Sequence, residues 1–333
     1  MKTRVTVYNY RDFDEKKWFD YFGKELDIEI IACPDSPTLE NASLAEGSQC
    51  IDIITTILDK ELIEKFYEYG VRYITTRTIG YDHIDVKAAK ACGMKVANAP
   101  YGPDGVADYT LMLMLMSIRK MKCIMQRNVV QDYTLKGIQG KELKDFTVAV
   151  IGTGRIGRTV IRDLSGFGCK ILAYDIYENE EVKEYATYVD EETIWKEADM
   201  ITFHAPLTEK NFHMINQDTI AKMKEGVVVI NTARGGLIDS KALIDGIESG
   251  KIGAAGLDVV EDEFSLYYYD RKSDILPNRD LAILKSFPNV TVSHHMAFYT
   301  DNYAKTVVGD SLRGCKCYVN GLEDSSIKNP YEV

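Results

Sequence analysis

The amino-acid sequence predicts an α/β fold built on parallel sheets, and three observations support this prediction. Runs rich in β-forming residues alternate with helix-like segments almost throughout the chain, which is typical of parallel strands joined by crossover helices. Hydrophobic residues make up 45% of the composition and charged residues 27%, close to the globular average, so the chain is expected to fold. Its 333 residues suit two domains of roughly 100 to 200 residues each.

Five β-rich runs occur in the first third of the chain, separated by polar stretches with helical spacing. Between the third and fourth runs, Leu62, Ile63, Phe66 and Tyr67 fall on one face of a predicted helix, which Gly70 ends. This pattern predicts a first sheet with its crossover helices. The five runs are residues 4–10, 27–32, 50–56, 72–78 and 95–99.

A segment dense in turn-forming residues, 100–105, follows the first sheet and is interpreted as a crossover between domains. A long apolar helix is predicted after it, from Val106 to about Met125. The alternation then starts again and predicts a second sheet of six strands. These strands are residues 146–152, 170–175, 200–206, 227–235, 253–260 and 289–295.

The charge and apolar patterning of the chain exclude several classes of partner. A net charge of −11 and a pI near 5.1 leave no diffuse basic surface for nucleic acid or an anionic membrane. The most apolar stretch, 109–118, is too short to cross a bilayer, which takes ~20 residues, and no signal peptide is visible. Seven cysteines without an export signal favour reduced thiols in a soluble, cytoplasmic protein. Cys315 and Cys317 form the only close pair in the sequence, and they predict no metal site.

A glycine-rich turn follows the first strand of the second sheet. The segment GTGRIG, 152–157, opens an amphipathic helix, and its glycines let the backbone approach a pyrophosphate whose charge is met by helix N-terminal amides. The next strand ends in Asp175, 23 residues after Gly152, where a carboxylate accepts hydrogen bonds from the ribose of NAD and repels the 2′-phosphate of NADP. The sequence therefore predicts NAD as cofactor. The alternative is a glycine turn that only packs a helix on a sheet.

Further polar residues lie where strands of the second sheet end. Arg234 ends one strand, Asp258 lies near the end of the next with Glu263 five residues beyond it, and His295 ends the last. Because ligands bind beyond the carboxyl ends of strands in open parallel sheets, we expect these side chains at one site. An arginine can hold a carboxylate bidentately, and a histidine favoured as imidazolium by a nearby Glu can protonate a carbonyl oxygen. This set suits reduction of a 2-oxo acid, although each residue alone could be an ordinary structural group. The residue pattern does not decide whether His295 or the adjacent His294 faces the site.

Seven motifs give the chain a resemblance, over essentially its whole length, to the D-2-hydroxyacid dehydrogenase family. The resemblance is strongest to the branch of D-lactate and 2-hydroxyisocaproate dehydrogenases. The motifs are RTIGYDHID (77–85), NAPYGPDGVADYT (98–110), GTGRIG (152–157), HAPLT (204–208), NTARGGLID (231–239), LDVVEDE (257–263) and HHMAFYT (294–300).

The resemblance implies a role for each matched residue. Arg234 resembles the arginine that holds the substrate carboxylate, Glu263 the carboxylate that partners the catalytic histidine, and His295 the acid/base. Asp258 is similar to the residue that meets the nicotinamide carboxamide. Tyr101 resembles a substrate contact, with an interdomain packing aromatic as the alternative. The resemblance adds the backbone of Ile79 and Gly80 as substrate contacts and, as cofactor contacts, Gly152, Gly154, Arg155, Ile156, Gly157, Asp175, His204, Pro206, Thr232 and Ala233.

The family's architecture implies two Rossmann-like domains. Residues 1–100 and 301–333 would form a discontinuous substrate domain, and residues 101–300 an inserted NAD-binding domain. The long apolar helix resembles the dimer-forming region of the family, with buried core of a single chain as the alternative. The resemblance thus implies a homodimer.

Reversible, NADH-dependent reduction of a 2-oxo monocarboxylate to its D-2-hydroxy acid is the function that these observations favour. Residues 53–56, which align with a substrate-flanking stretch of the family, carry no cation for a second carboxylate. The aliphatic Ile54 leaves room for a bulky side chain, so we expect pyruvate or a larger apolar or aromatic 2-oxo acid, not 2-oxoglutarate. The alternatives are a hydroxypyruvate/glyoxylate reductase or phosphoglycerate dehydrogenase, and an NADH-sensing, corepressor-like binding protein.

Overall fold

A computed structural model describes residues 2–99, 101–263 and 266–321, so Pro100 and the end of the predicted substrate domain lie outside the described residues. The chain divides into two compact units. Unit 1 takes the chain up to Gly102 and again from Thr300, and unit 2 runs from Pro103 to Tyr299. Each unit is built on one parallel sheet, which confirms the predicted fold class.

In the part of unit 1 that the structure describes, five parallel strands overlap the five predicted runs. They are β1 (Thr3–Val7), β2 (Ile28–Ala32), β3 (Cys50–Ile53), β4 (Tyr73–Thr76) and β5 (Lys95–Asn98). Their order across the sheet is β2-β1-β3-β4-β5. The helices of this unit are α1 (Lys16–Glu25), α2 (Lys60–Glu68), α3 (Val86–Ala91) and α11 (Tyr303–Asn320).

Helix α2 follows its sequence pattern except at one position. Leu62, Ile63 and Phe66 are buried, as their spacing predicts. Tyr67, which the spacing places on the same face, is 38% exposed because it lies at the edge of that face. Gly70 follows the helix with a φ of +96°, a conformation that favours glycine.

A cluster of charged side chains is buried in unit 1. The Arg77 guanidinium donates from Nε to Glu15 Oε1 at 3.0 Å and forms an ion pair through Nη1 with Asp52 Oδ1 at 3.1 Å. From α11, Ser311 donates to Asp52 and the Tyr303 hydroxyl donates to the Arg77 carbonyl. Burial raises the pKa of Asp52 to about 7, because the loss of solvation outweighs the attraction of Arg77. The cluster ties α11 to the strands of unit 1.

Unit 2 contains seven parallel strands in the order β12-β11-β10-β9-β6-β7-β8. They are β6 (Thr147–Ile151), β7 (Lys170–Tyr174), β8 (Thr187–Tyr188), β9 (Met200–Phe203), β10 (Val227–Asn231), β11 (Ile252–Leu257) and β12 (Val290–Val292). Its helices are α4 (Asp104–Ile118), α5 (Met121–Val129), α6 (Arg155–Ser165), α7 (Glu191–Glu197), α8 (Gln217–Lys222), α9 (Ser240–Glu248) and α10 (Arg279–Ser286). Apolar side chains of α4 and α6 pack on one face of the sheet, and those of α7 to α10 pack on the other. The strand order reverses between β6 and β9, which creates a switch point at the carboxyl edge.

Two expectations for unit 2 are wrong. Among the described residues the sheet has seven strands instead of six. The strand β8 was not predicted, because it is only two residues long and contains no apolar run. The helix predicted from Val106 to about Met125 is in fact two helices, α4 and α5. Lys120 between them adopts a φ of +53°, a left-handed conformation through which a right-handed helix cannot continue.

Three further findings bear on the classes of function considered above. Within the described ranges, no helix is long and apolar enough to span a membrane. The same residues contain no cluster of three or more His, Cys, Asp or Glu side chains that could hold a metal ion. All seven cysteines are free.

Candidate active site

Three neighbouring strands of unit 2 end at one edge of its sheet. β10, β11 and β12 are adjacent and parallel, so the loops that follow them meet at this edge. Arg234 lies in the loop after β10, Asp258 and Glu263 in the loop after β11, and His295 in the loop after β12. The sheet thus brings together the loops that carry the predicted catalytic residues.

His295 is paired with a carboxylate. Its Nδ1 lies 2.7 Å from Glu263 Oε1, and the other carboxylate oxygen accepts a hydrogen bond from the Val260 amide at 2.9 Å. Both side chains are largely shielded from solvent, with exposed fractions of 24% for His295 and 11% for Glu263. Because an ionised carboxylate only accepts hydrogen bonds, Nδ1 carries a proton in this pair. Nε2 is then the ring nitrogen that does not contact Glu263.

The fully buried Asp258 organises the segment that carries His295. Its Oδ1 accepts hydrogen bonds from Ser293 Oγ at 2.6 Å and from the Met296 amide at 2.8 Å, and its Oδ2 accepts one from the Ala297 amide at 2.8 Å. The Asp258 carbonyl accepts a fourth bond from the His295 amide at 2.7 Å. Together these bonds hold His295 at a φ of +57°, which non-glycine residues keep only where the surroundings enforce it. This role of Asp258 was not predicted from the sequence, because its hydrogen-bond partners lie 35 to 39 residues further along the chain.

The adjacent His294 has different surroundings. Its side chain is exposed, and its ring packs edge-to-face with Tyr267 at a centroid distance of 6.2 Å. Glu263 contacts His295. The two histidines, which the residue pattern could not tell apart, are therefore distinct in the structure.

Arg234 lies on a turn that packs closely against the loop after β11. Its carbonyl accepts a hydrogen bond from the Asn231 side-chain amide at 2.8 Å, and its Nη1 donates to the Ala233 carbonyl at 2.7 Å. At the next residue, Gly235, a Cβ atom would lie 2.1 Å from the carbonyl of Val260. Only glycine permits this approach, so the Arg234 turn and the loop that carries Glu263 are held together.

The glycine turn after β6 has the geometry of a dinucleotide cradle. Gly152 adopts a φ of +91°, and a Cβ on it would lie 2.6 Å from backbone atoms of His204 and Ala205. A Cβ on Gly157 would lie 1.9 Å from the Gly152 carbonyl oxygen. A Cβ on Gly154 would meet no heavy atom within 4 Å, so this glycine leaves the N-terminus of α6 open to a ligand. These three environments match the roles of the glycines in a dinucleotide-binding turn.

Asp175 is held at the end of β7 by its neighbours. Its Oδ2 accepts hydrogen bonds from the Thr153 amide at 2.6 Å and the Thr153 hydroxyl at 3.1 Å, and its Oδ1 accepts one from the Tyr177 amide at 3.1 Å. The Tyr188 hydroxyl lies 2.8 Å from Thr153 Oγ1 and accepts a hydrogen bond from the Asn179 amide at 2.9 Å. The supporting residues Thr153 and Tyr188 carry no sequence signal of their own, apart from the position of Thr153 inside the glycine motif.

The other cofactor candidates also follow strand ends or begin α6. His204 and Pro206 follow β9, Thr232 and Ala233 follow β10, and Arg155 and Ile156 open α6. Burial lowers the pKa of His204 to about 3, so its imidazole is neutral at working pH. Its Nε2 pairs with Thr202 Oγ1 at 3.0 Å, whereas its buried Nδ1 has no hydrogen-bond partner among the described residues. This orphaned buried atom, the open Gly154 and the fixed Asp175 carboxylate all fit a bound dinucleotide.

The predicted substrate contacts lie in unit 1. The Ile79 carbonyl accepts a hydrogen bond from the Asn98 side chain at 2.6 Å, and the Gly80 carbonyl accepts one from the Thr78 hydroxyl at 2.6 Å. These bonds fix the backbone after β4. The Tyr101 ring packs edge-to-face on Tyr303 of the same unit, with centroids 5.3 Å apart.

Comparison with known proteins identifies the family of this chain. The family model for the NAD-binding domain of D-isomer-specific 2-hydroxyacid dehydrogenases matches residues 111–297, more than half of the chain. The chain belongs to this family. The dehydrogenase is 44% identical over 307 residues to an aromatic 2-oxoacid reductase of Clostridium sporogenes, covering 91% of this chain and 90% of the relative. It is 38% identical over 320 residues to a D-specific alpha-keto acid dehydrogenase of Enterococcus faecalis, covering 96% and 98%.

A solved structure shares the fold of the whole dehydrogenase. It is the NAD-complexed form of a D-isomer-specific 2-hydroxyacid dehydrogenase from Lactobacillus delbrueckii ssp. bulgaricus, with a TM-score of 0.81, 30% identity, and coverage of 97% of this chain and 99% of that one. The resemblance stated from the motifs is confirmed. The protein is an NAD-dependent oxidoreductase that interconverts 2-oxo acids and D-2-hydroxy acids.

Proposed function

We propose that this dehydrogenase reduces a 2-oxo monocarboxylate with a bulky apolar or aromatic side chain, using His295 as acid/base, Glu263 as its partner and Arg234 as the carboxylate anchor. The observation that carries the proposal is the 2.7 Å contact between His295 Nδ1 and Glu263 Oε1 at the carboxyl edge of unit 2. NADH, when bound, supplies the hydride. The chain's own residues have to hold the substrate and deliver one proton.

Glu263 determines which ring nitrogen of His295 exchanges a proton with the substrate. The carboxylate accepts the Nδ1 proton, so Nε2 is the atom that gives a proton to the carbonyl oxygen during reduction and takes it back during oxidation. The second Glu263 oxygen accepts a hydrogen bond from the Val260 amide, so the carboxylate is restrained at both of its oxygens. This is the arrangement in which a carboxylate orients an imidazole and stabilises its charged form.

For Arg234, the proposed role is to offer a planar set of N–H donors to the substrate carboxylate. A guanidinium holds a carboxylate by two parallel hydrogen bonds, which fixes the position of the adjacent carbonyl carbon. The close packing at Gly235 supports the role, because it keeps the Arg234 turn in register with the loop that carries Glu263. For the cofactor, we propose contacts from the glycine turn with Arg155 and Ile156, from Asp175, and from His204, Pro206, Thr232 and Ala233. The expected contact from Asp258 is not part of this proposal, because its side chain is fully buried and both of its carboxylate oxygens accept hydrogen bonds from residues 293–297.

We propose unit 1 as the substrate domain, contributing Tyr101 and the backbone of Ile79 and Gly80, and unit 2 as the domain that binds NAD. Ile54 in unit 1 is an aliphatic side chain in a stretch without cations, which suits an apolar substrate side chain and not a second carboxylate. The similarity to an aromatic 2-oxoacid reductase supports a bulky side chain.

The test is a comparison of kcat/KM for phenylpyruvate, 4-methyl-2-oxopentanoate, pyruvate and 2-oxoglutarate with NADH. We expect one of the two bulky monocarboxylates to be preferred over pyruvate, and 2-oxoglutarate to be the poorest substrate. A preference for 2-oxoglutarate would overturn the charge argument at residues 53–56. Absence of turnover with all four would overturn the proposed substrate class.

We further propose a cytoplasmic homodimer. Apolar side chains are exposed along α4, α5 and the segment after them, which is unusual for a surface without a partner. Met125 is 57% exposed, Val129 81%, Tyr133 73% and Leu135 84%. Sedimentation equilibrium of the wild-type chain and of Val129→Asp tests the dimer, which the substitution should weaken. Free cysteines at all seven positions suit the reducing cytoplasm.

A further inference from the structure

The backbone of His295 is held from both sides. Its amide donates to the Asp258 carbonyl at 2.7 Å, and its carbonyl accepts a hydrogen bond from the Tyr268 hydroxyl at 2.9 Å. The bond from Tyr268 acts on the peptide that joins His295 to Met296, whose amide donates to Asp258 Oδ1 at 2.8 Å, so this peptide is held at its carbonyl by Tyr268 and at its N–H by Asp258. His295 adopts a left-handed conformation, and hydrogen bonds on both flanking peptides help to hold it there.

Tyr268 is itself in an unfavourable conformation. Its φ is +71°, which a large side chain adopts rarely. Strained residues of this kind persist where the surrounding contacts over-determine them, and they concentrate at functional sites. Two left-handed, non-glycine residues, 27 positions apart in the chain, are thus joined by one hydrogen bond.

A ring contact extends the restraint to the imidazole. The Tyr268 ring packs edge-to-face with Phe298 at a centroid distance of 6.2 Å, and Phe298 packs edge-to-face with the His295 ring at 6.1 Å. Such contacts favour one ring orientation over others. Tyr268 therefore reaches His295 twice, directly through its hydroxyl and through Phe298 with its ring.

We propose that Tyr268 is a positioning residue for His295, and this inference rests on the proposed function of that histidine. Glu263 fixes the ring at Nδ1, the Asp258 carbonyl and Tyr268 fix the backbone, and Phe298 fixes the ring face. Together these restraints aim Nε2 at the carbonyl oxygen of the substrate. Small errors in the placement of a reacting group are costly in rate, so the contribution of Tyr268 belongs to turnover and not to substrate affinity.

The variant Tyr268→Phe removes only the hydroxyl and keeps the ring. We expect kcat for reduction of the preferred 2-oxo acid to fall by about 3- to 10-fold, as for loss of one neutral hydrogen bond. The KM for the 2-oxo acid, the Kd for NADH and the melting temperature should stay at the wild-type values. The matched control is Tyr269→Phe, which removes a hydroxyl from the neighbouring, 53% exposed tyrosine and should leave kcat unchanged.

Hydrogen exchange of the backbone provides a second readout that needs no turnover. The peptide covering 293–299 should exchange faster in Tyr268→Phe than in the wild type or in Tyr269→Phe. An unchanged kcat together with unchanged exchange overturns the proposal, and so does a parallel loss of kcat, substrate affinity and melting temperature, which indicates a loop that merely packs. Failure of the proposed function looks different, because the wild type and both variants are then equally inactive on 2-oxo acids; unchanged exchange overturns the positioning role in that case too.

Discussion

Substitution by alanine is predicted to affect protein stability differently at two glycines of the same turn, Gly157 and Gly154. In Gly157→Ala the new Cβ would lie 1.9 Å from the Gly152 carbonyl oxygen, about 1.5 Å short of the 3.4 Å at which ordinary contact begins. The Gly152 oxygen belongs to the backbone, so no side-chain rotation relieves the clash. In Gly154→Ala the Cβ meets no heavy atom within 4 Å.

Overpacking of this kind costs typically about 1 to 3 kcal/mol, and we expect Gly157→Ala to lower the free energy of unfolding of unit 2 by at least that amount. Gly154→Ala should change it by less than ~0.5 kcal/mol or raise it slightly, since alanine restricts the unfolded chain. Both variants should bind NADH at least ~10-fold more weakly. Gly157→Ala does so because the turn has moved, and Gly154→Ala because its methyl group obstructs the approach of the pyrophosphate.

Urea unfolding in a Trp18→Phe background isolates the relevant unit, because the other tryptophan, Trp195, is buried in the core of unit 2. Its fluorescence reports the unfolding of that unit alone, and titration with NADH gives the cofactor Kd. If Gly157→Ala unfolds at the same urea concentration as the wild type, the tight packing of the turn is refuted. If Gly154→Ala binds NADH as the wild type does, the pyrophosphate does not pass over this glycine.

Three further outcomes are expected. Burial raises the pKa of Asp52 to about 7, above its value in the unfolded chain, so its contribution to stability is complete below the unfolded value and is lost as pH rises through 7. The wild type should lose about 2 to 3 kcal/mol more stability than Asp52→Asn between about pH 5 and about pH 8, and equal pH slopes in urea unfolding would contradict this. Lys122→Met should destabilise unit 2 by about 1 to 3 kcal/mol, because Nζ donates to the carbonyls of residues 285, 287 and 290, while the exposed Lys285→Met should be near neutral in the same assay. Asp175→Ser should raise the ratio of kcat/KM for NADPH over NADH roughly tenfold by removing the charge that repels a 2′-phosphate, and an unchanged ratio would show that Asp175 does not select the cofactor.

The fold class could be predicted from the sequence because its signal is repetitive. Each strand of unit 2 longer than two residues coincides with an apolar run in the sequence. Gly152, Gly154 and Gly157 indicate the turn after β6. The two failures are local. β8 is too short to leave a pattern, and the break between α4 and α5 depends on the backbone of Lys120, whose residue type favours helices.

The candidate site was only partly predictable. Arg234, Asp258 and His295 stand at strand ends, so the topology of a parallel sheet suffices to bring their loops together. The residue pattern suggested that Glu263 could lie near the histidine, and the resemblance assigned it as the partner of His295, since a glutamate in an acidic loop is ordinarily solvated. The restraints on His295 from the side chains of Asp258 and Tyr268 join residues 27 to 39 positions apart. No local pattern encodes such contacts, so they became visible only in the structure.

Glu263 is proposed to hold His295 as the proton carrier, and the pH dependence of reduction distinguishes this role from simple packing. The measurement is kcat/KM for the preferred 2-oxo acid as a function of pH in the wild type, in Glu263→Gln and in Glu261→Gln, whose carboxylate pairs with His213 instead. Loss of the Glu263 charge disfavours the imidazolium, so the limb on which activity declines with rising pH should move to lower pH in Glu263→Gln and stay in place in Glu261→Gln. Profiles of Glu263→Gln and the wild type that superimpose would contradict the account.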